Sequence, residues 1–183
     1  MLNWVTNHVS GMIQHKGQTI DKFGKDQTGI IKYQFNQQGF RSPMDFNFVP
    51  EYVFFGNSLV FGIGVAYEYT FPGMFNLSHN YGLAGSYNND DTFIIIENYL
   101  NSDAYSSSTK KFVCWTNRNE ENIDVYSKRL SQEGFVQLFC GKKMPYKNCF
   151  SAIPNIDFDV SGTHIGIKTH LATYKALCSL FNK

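Results

Sequence analysis

Charged residues are scarce in this 183-residue chain, at 17%, against roughly 25% in an average domain. The 16 basic and 15 acidic residues nearly cancel, which leaves a net charge of +1. Nucleic-acid binding needs a clustered basic surplus, so we expect no nucleic-acid partner. No run of apolar residues approaches the length of about 18 that a membrane span needs, so we expect no membrane-spanning segment.

Paired cysteine motifs are also missing. The four cysteines are widely spaced and form no C-x-x-C pair: Cys114, Cys140, Cys149 and Cys178. Structural metal sites need clustered ligands, so we expect neither a metal nor another cofactor. We interpret the cysteines as small buried residues in a reducing compartment rather than as disulfides.

The first residues lack the order of a signal peptide, in which basic residues precede an apolar stretch. Phe and Tyr are abundant, with 17 and 11 copies. Such usage is compatible with an AT-rich coding sequence, as in many viruses and some bacteria. We therefore expect a cytoplasmic or virion-associated protein.

Hydrophobic residues make up 43% of the chain, which is enough for one packed domain. Residues 1–46 are rich in Gln, Asn, Lys and Gly and predict an N-terminal arm with a hairpin, in which residues 31–35 alternate like a half-exposed strand. In residues 47–183, strand-like and helical segments alternate. This alternation predicts an α/β domain whose parallel sheet is flanked by helices on both faces.

Short apolar runs predict the individual strands, and apolar residues at helical spacing predict the helices. The predicted strands are 52–55, 76–80, 111–116 and 135–140. The predicted helices are one that follows the capping residues 86–91, a polar one over 120–130, and an amphipathic one over 167–181, with a loop over 141–163.

The segment 56–64, with the sequence GNSLVFGIG, directly follows the most strand-like run of the chain. In an open α/β sheet, ligands bind at the carboxyl ends of the strands. Ser58 at that edge would have an exposed hydroxyl, and nearby backbone N–H groups would stabilise an anion. The other interpretation is a plain strand-to-helix turn with a capping serine. The segment is neither G-x-G-x-x-G nor a Walker loop, which disfavours nucleotide binding.

His164 is the second candidate, in a loop just before the last helix. A histidine so placed is suited to general acid or base catalysis. The plainer interpretation is a surface loop histidine. His170 lies within the predicted helix, where we expect a structural role.

Four short blocks of this chain resemble those of the SGNH/GDSL hydrolase superfamily, which is named for a Ser, a Gly, an Asn and a His. Residues 56–62 are similar to the G-D-S-x-x-x-G block, and residues 80–86 are similar to the second block, with Gly82 as its glycine. Residues 115–118 and 161–166 resemble the third and fourth blocks, although Trp115 and Arg118 replace the usual Gly and Asp. The resemblance covers roughly residues 39–180.

The resemblance implies a flavodoxin-like parallel sheet and a serine esterase. It implies that Ser58 is the nucleophile and that His164 takes its proton. The Ser58 N–H, the Gly82 N–H and the Asn117 side chain would form the oxyanion hole, which meets the chemical needs of acyl transfer. The implied substrate is an ester, such as an O-acetyl group on a carbohydrate or a short acyl ester.

One departure from the family pattern concerns the acid that orients the histidine. Ser161 occupies the usual position of this acid. Asp159 and Asp157 lie just upstream, and a bulged loop would let either reach His164; our assigned acid is Asp159.

Two other functions stay open. One is a catalytically degenerate SGNH-like domain that binds a carbohydrate or a protein, for example as an accessory part of a viral particle. The other is a flavodoxin-like binding protein, which predicts a phosphate or flavin at the turn formed by residues 56–64.

Overall fold

The computed structural model describes residues 12–22, 24–84, 89–115, 122–139, 149–151, 157–158, 162 and 164–182. Within this part of the chain, the strands are β1 (Met12–Ile20), β2 (Asp26–Gln34), β3 (Tyr52–Gly56), β4 (Ser78–Gly82), β5 (Lys110–Trp115), β6 (Val136–Phe139) and β7 (Cys149–Ser151). The helices are α1 (Ser58–Phe61), α2 (Asn89–Leu100), α3 (Ile123–Gln132) and α4 (Ile167–Phe181).

Strands β3 to β7 form a five-stranded sheet in the order β4-β3-β5-β6-β7. All four neighbouring pairs are parallel. Counted from β3, this is the order 2-1-3-4-5, which is consistent with a flavodoxin-like fold. The predicted α/β class, with a parallel sheet flanked by helices, is confirmed.

Strand β3 lies at the centre of two hydrophobic layers. Val53 and Phe55 belong to the core cluster that holds the buried apolar residues of α2 and α3. Phe54 belongs to the cluster of α1 and α4. Side chains alternate between the two faces of a strand, so an uninterrupted apolar run is what a strand covered on both faces requires.

Helix α4 runs antiparallel to the strands and returns to the edge where they begin. The ring of Phe181, at its end, lies 5.6 Å from the ring of Tyr52, the first residue of β3. The start of α4 therefore lies toward the carboxyl edge of the sheet. No helix in the described part of the chain is long and apolar enough to cross a bilayer.

The predicted hairpin is formed by β1 and β2, which pair antiparallel as a separate two-stranded sheet. The predicted alternation holds, since Ile31 and Tyr33 are buried while Lys32 is exposed. Ile31 and Tyr33 pack with Phe61 and Ala66, so the hairpin rests directly on the loop that follows α1. The boundary between residues 46 and 47 stays a prediction.

Two elements differ from the sequence prediction. Strand β4 begins at Ser78, two residues late, because Leu77 has a φ of 50° and lies half-exposed in the preceding turn. Strand β7 falls inside the predicted loop 141–163. It has only three residues, too few to show the alternation that marks a strand.

Cys114 is buried in β5, as predicted, and Cys178 on α4 is half-buried; both are free thiols. The side chains of Cys140 and Cys149 lie outside the described residues. The prediction of small, reduced core cysteines therefore holds for Cys114.

Among the residues that the structure describes, two histidines are fully buried. His79 stacks on Phe46 with ring centroids 4.0 Å apart. Nδ1 of His170 accepts a hydrogen bond from the Phe71 N–H at 3.2 Å, which fits the structural role that its helical position predicted. Burial lowers the pKa of both histidines to about 3.

The protein should lose stability as the pH falls below about 6.5, the ordinary pKa of an unfolded histidine. Between pH 6.5 and pH 3, His79 and His170 bind protons in the unfolded chain but not in the folded protein. Each of these two histidines therefore lowers the free energy of unfolding by about 1.4 kcal/mol for every unit by which the pH falls. In His170→Asn, the amide oxygen can still accept from Phe71 while the titration is lost. Urea unfolding from pH 7 to 4.5 should show a shallower pH dependence for this variant than for wild type. If the free energy of unfolding depended equally on pH in both proteins, His170 would not have the lowered pKa that its burial implies.

Candidate active site

The turn from β3 into α1 presents Ser58 at the carboxyl edge of the sheet. Gly56 has a φ of 148°, a conformation that favours glycine, and a Cβ there would lie 2.8 Å from the carbonyl oxygen of Cys114. Asn57 caps the helix, its side-chain oxygen accepting the N–H of Leu59 at 3.0 Å. Ser58 is thus the first residue of α1, where backbone N–H groups have no partner within the helix. Its side chain is half-buried.

A buried cation holds the other end of α1. The guanidinium of Arg41 donates to the carbonyl oxygens of Phe61 at 2.9 Å, Gly62 at 2.5 Å and Val65 at 2.6 Å. Arg41 also lies over the ring of Tyr33, 4.3 Å from its centroid. Burial lowers the pKa of Arg41 to about 10, so it remains charged at neutral pH. A cation at the C-terminal carbonyls of a helix is favourable, and here it fixes the segment that follows Ser58.

Gly82 ends β4 directly beside Gly56, its register partner in β3. A Cβ at Gly82 would lie 2.3 Å from the backbone nitrogen of Phe61, so glycine is needed for the close approach of α1. The Gly82 N–H donates to Oδ1 of buried Asn80 at 2.9 Å, and Nδ2 of Asn80 donates to the Val60 carbonyl at 3.2 Å. A substrate oxygen at Gly82 would have to share or replace the bond to Asn80.

His164 lies two residues before Gly166, the residue that precedes α4. Its neighbour Ile165 forms an antiparallel bridge with Phe158. The side chain of His164 is half-buried, while that of Phe158 is 50% exposed. The start of α4 lies toward the carboxyl edge of the sheet, so His164 and Ser58 belong to the same edge.

Asp157 serves α4 as a capping residue. Its carboxylate accepts the N–H groups of Lys168 at 3.0 Å and Thr169 at 2.8 Å, and also the Thr169 hydroxyl at 2.9 Å. Its own carbonyl accepts the Gly166 N–H at 3.0 Å. Both carboxylate oxygens are therefore engaged with the N-terminus of a helix, where a negative charge is stabilised.

Three residues of the sequence prediction lie outside the described part of the chain: Asn117, Asp159 and Ser161. The structure packs Gly82 against α1, the helix that begins at Ser58, and Gln18 connects the loop after α1 to the start of α4 near His164. The catalytic roles of all six residues stay predictions.

The loop after Ser58 offers few donors to a phosphate group. The N–H groups of Leu59 and of residues 61–65 all donate within the protein, to Asn57, Ser58, Gly62 or the hydroxyl of Tyr33. A phosphate cradle needs several backbone N–H groups that point at the ligand. This pattern disfavours a phosphate or flavin at residues 56–64.

Sequence reasoning missed three polar residues of this site. Gln18 on β1 belongs to no motif, Asn80 on β4 lies in the second block without a predicted role of its own, and Arg41 lies in the predicted N-terminal arm. The available signal for Arg41 was its rarity, since the chain has only three arginines. Nothing in the local sequence distinguishes Gln18 from the other glutamines of the arm.

No group of three or more potential metal ligands occurs among the residues that the structure describes. Comparisons with protein-family models, with curated proteins and with solved structures give no match to this chain. The chemistry and geometry of the site itself are therefore the basis for its function.

Proposed function

We propose that the protein is a serine hydrolase of the SGNH type that cleaves an ester, either an O-acetyl group on a carbohydrate or a short acyl ester. Ser58 is the nucleophile and His164 is the base that takes its proton. The N–H groups of Ser58 and Gly82 and the side chain of Asn117 stabilise the oxyanion.

The observation that carries this proposal is the position of Ser58 at the topological switch point of the sheet. Helix α1, which follows β3, packs on one face with α4. Helix α3, which follows β5, packs on the opposite face. Where neighbouring strands lead to opposite faces, a crevice opens at their carboxyl ends, and ligands bind there. Ser58 comes two residues after the end of β3, and position 117 comes two residues after the end of β5.

The reaction needs the side chains of Ser58 and His164 within hydrogen-bonding distance of each other. The Ser58 hydroxyl attacks the ester carbonyl while His164 accepts its proton, and the acyl group is transferred to the serine oxygen. His164 then returns the proton to the departing alcohol. In the second half, His164 activates a water that hydrolyses the acyl-enzyme and regenerates Ser58.

Two aspartates, Asp157 and Asp159, lie just upstream of His164 and are the candidates for the acid that orients it. Since the carboxylate of Asp157 already caps α4, we assign Asp159 to orient His164.

The alternative is a catalytically degenerate domain that binds a carbohydrate or a protein. Two observations favour it: the Gly82 N–H already donates to Asn80, and Ser161 occupies the usual position of the acid. A domain of this kind would keep the fold and the crevice but would have an unreactive Ser58.

A fluorophosphonate probe separates the two functions. Wild type should be labelled at Ser58, as identified by mass spectrometry after cleavage at glutamates, because the peptide from 52 to 68 contains Ser58 as its only serine. Ser58→Ala should abolish this labelling, because the probe bonds to an activated serine oxygen. Ser107→Ala is the matched control, since Ser107 is an exposed serine just before the start of β5 and away from the crevice. Folded wild-type protein that stays unlabelled at Ser58 would instead support the binding module.

A further inference from the structure

Gln18 on β1 connects the hairpin to the loop that follows Ser58. The backbone N–H of Gln18 donates to the carbonyl oxygen of Gly64 at 2.7 Å, and its own carbonyl accepts the N–H of Ala66 at 2.9 Å. Gln18 and Val65 thereby form a parallel bridge. These bonds involve only the backbone. They therefore hold position 18 in place even when its side chain is substituted.

The side chain of Gln18 reaches the two segments that flank His164. Its amide nitrogen Nε2 donates to the carbonyl oxygen of Phe158 at 2.8 Å. Its oxygen Oε1 accepts the N–H of Ile167, the first residue of α4, at 3.0 Å. A Cβ at Gly166 would lie 2.8 Å from this oxygen, so the chain passes close to Gln18 here.

These bonds place His164 between two fixed points. Phe158 is the bridge partner of Ile165, the residue after His164. Ile167 follows three residues after His164, and its N–H is one of the helix-terminal donors that need a partner from outside the helix. One amide side chain therefore satisfies both groups and sets the distance from the His164 segment to the loop after Ser58.

We propose that Gln18 is a positioning residue of the active site, through which the N-terminal hairpin holds His164 in register with Ser58. This inference rests on the proposed function. Gln18 acts through the backbone on either side of His164 and is not assigned any contact with substrate. Its importance follows from the geometry of proton transfer, because a misplacement of about 1 Å can cost a hundredfold in rate.

Three variants test this role. Gln18→Met keeps the length of the side chain but loses both side-chain bonds. Gln18→Glu keeps an acceptor for the Ile167 N–H and loses the donor to Phe158. Gln14→Ala, at an exposed position of the same strand, is the matched control. All three keep the backbone bonds to Gly64 and Ala66, and water can reach half-buried Gln18 to satisfy the groups left behind.

The measurements are kcat and KM for a short acyl ester, the rate of fluorophosphonate labelling, and amide hydrogen exchange by NMR. Gln18→Met should lower kcat and the labelling rate by about 10- to 100-fold with KM nearly unchanged. Gln18→Glu should fall between Gln18→Met and wild type. Exchange of the Ile167 amide should accelerate in Gln18→Met and remain slow in Gln14→Ala.

Two outcomes would overturn the inference. One is a Gln18→Met protein with wild-type kcat and labelling rate, and the other is an Ile167 amide whose exchange is unaffected. An inert Ser58 in wild type refutes the proposed function and the positioning role together. Faster exchange of the Ile167 amide in Gln18→Met would then still establish the structural tie, so the two failures are distinguishable.

Discussion

His164→Ala should lower kcat for a short acyl ester by up to about six decades, while leaving the melting temperature within a few degrees of wild type. Without the imidazole, the Ser58 hydroxyl has no base to accept its proton, and the leaving alcohol has no donor. His164 is half-buried and lies before α4 rather than in a core cluster, so its removal opens no large cavity. Steady-state kinetics and thermal unfolding on the same preparation measure both expectations.

Ser58→Ala should cause a loss of similar size, and the double variant should lose little more, because the two groups act as one unit in the same step. His15→Ala is the control, since His15 is an exposed histidine on the hairpin, and it should keep full activity. Additive losses in the double variant, or a His164→Ala protein with wild-type kcat, would show that His164 is not the base for Ser58.

The parallel sheet could be predicted because its central strands are buried on both faces. A strand such as β3 needs an uninterrupted apolar run on that account, and such a run is visible in the sequence. Helix α4 was equally visible, since its apolar residues recur at helical spacing. Strand β1 is different: it is a polar stretch that becomes a strand by pairing with β2 and by docking of Gln18 on Gly64.

The turn that carries Ser58 could be predicted because its geometry is local. Gly56, Asn57 and Ser58 are adjacent in sequence, and the turn, the cap and the hydroxyl follow from these residues alone. The supports of the site are long-range. Arg41 reaches residues about twenty positions away, and Gln18 reaches Ile167 across 149 positions. No local pattern encodes such pairs, because they arise only when distant elements pack together.

Asp157 has a structural role that the sequence did not reveal. Its position seven residues before His164 made it a candidate for the catalytic acid. The structure instead engages both of its oxygens with the first turn of α4. Asp157 therefore caps α4, whereas Asp159 is assigned to orient His164. Substitution of these two aspartates should have opposite effects.

Asp159→Asn should lower kcat by about four decades and leave stability unchanged, because an amide can hold the imidazole but stabilises the wrong tautomer and cannot balance the imidazolium. Asp157→Asn should do the reverse. It loses the charge at the start of α4 and an acceptor for one of its donors, about 1 kcal/mol, which lowers the melting temperature by about 2–4 °C with kcat nearly unchanged. Kinetics and thermal unfolding of the two variants, side by side, provide the comparison.

Ser161→Asp tests whether a carboxylate at another position can restore the kcat lost in Asp159→Asn. Placed in the Asp159→Asn background, it restores a carboxylate at the position where the family pattern has its acid, and it should recover part of the lost rate, since a carboxylate there would again face the imidazolium. A large loss of kcat in Asp157→Asn, with none in Asp159→Asn, would show that Asp157 rather than Asp159 orients His164. A clear wild-type rate that is indifferent to all three substitutions would refute a carboxylate-assisted histidine altogether, leaving Ser58 and His164 to act as a dyad.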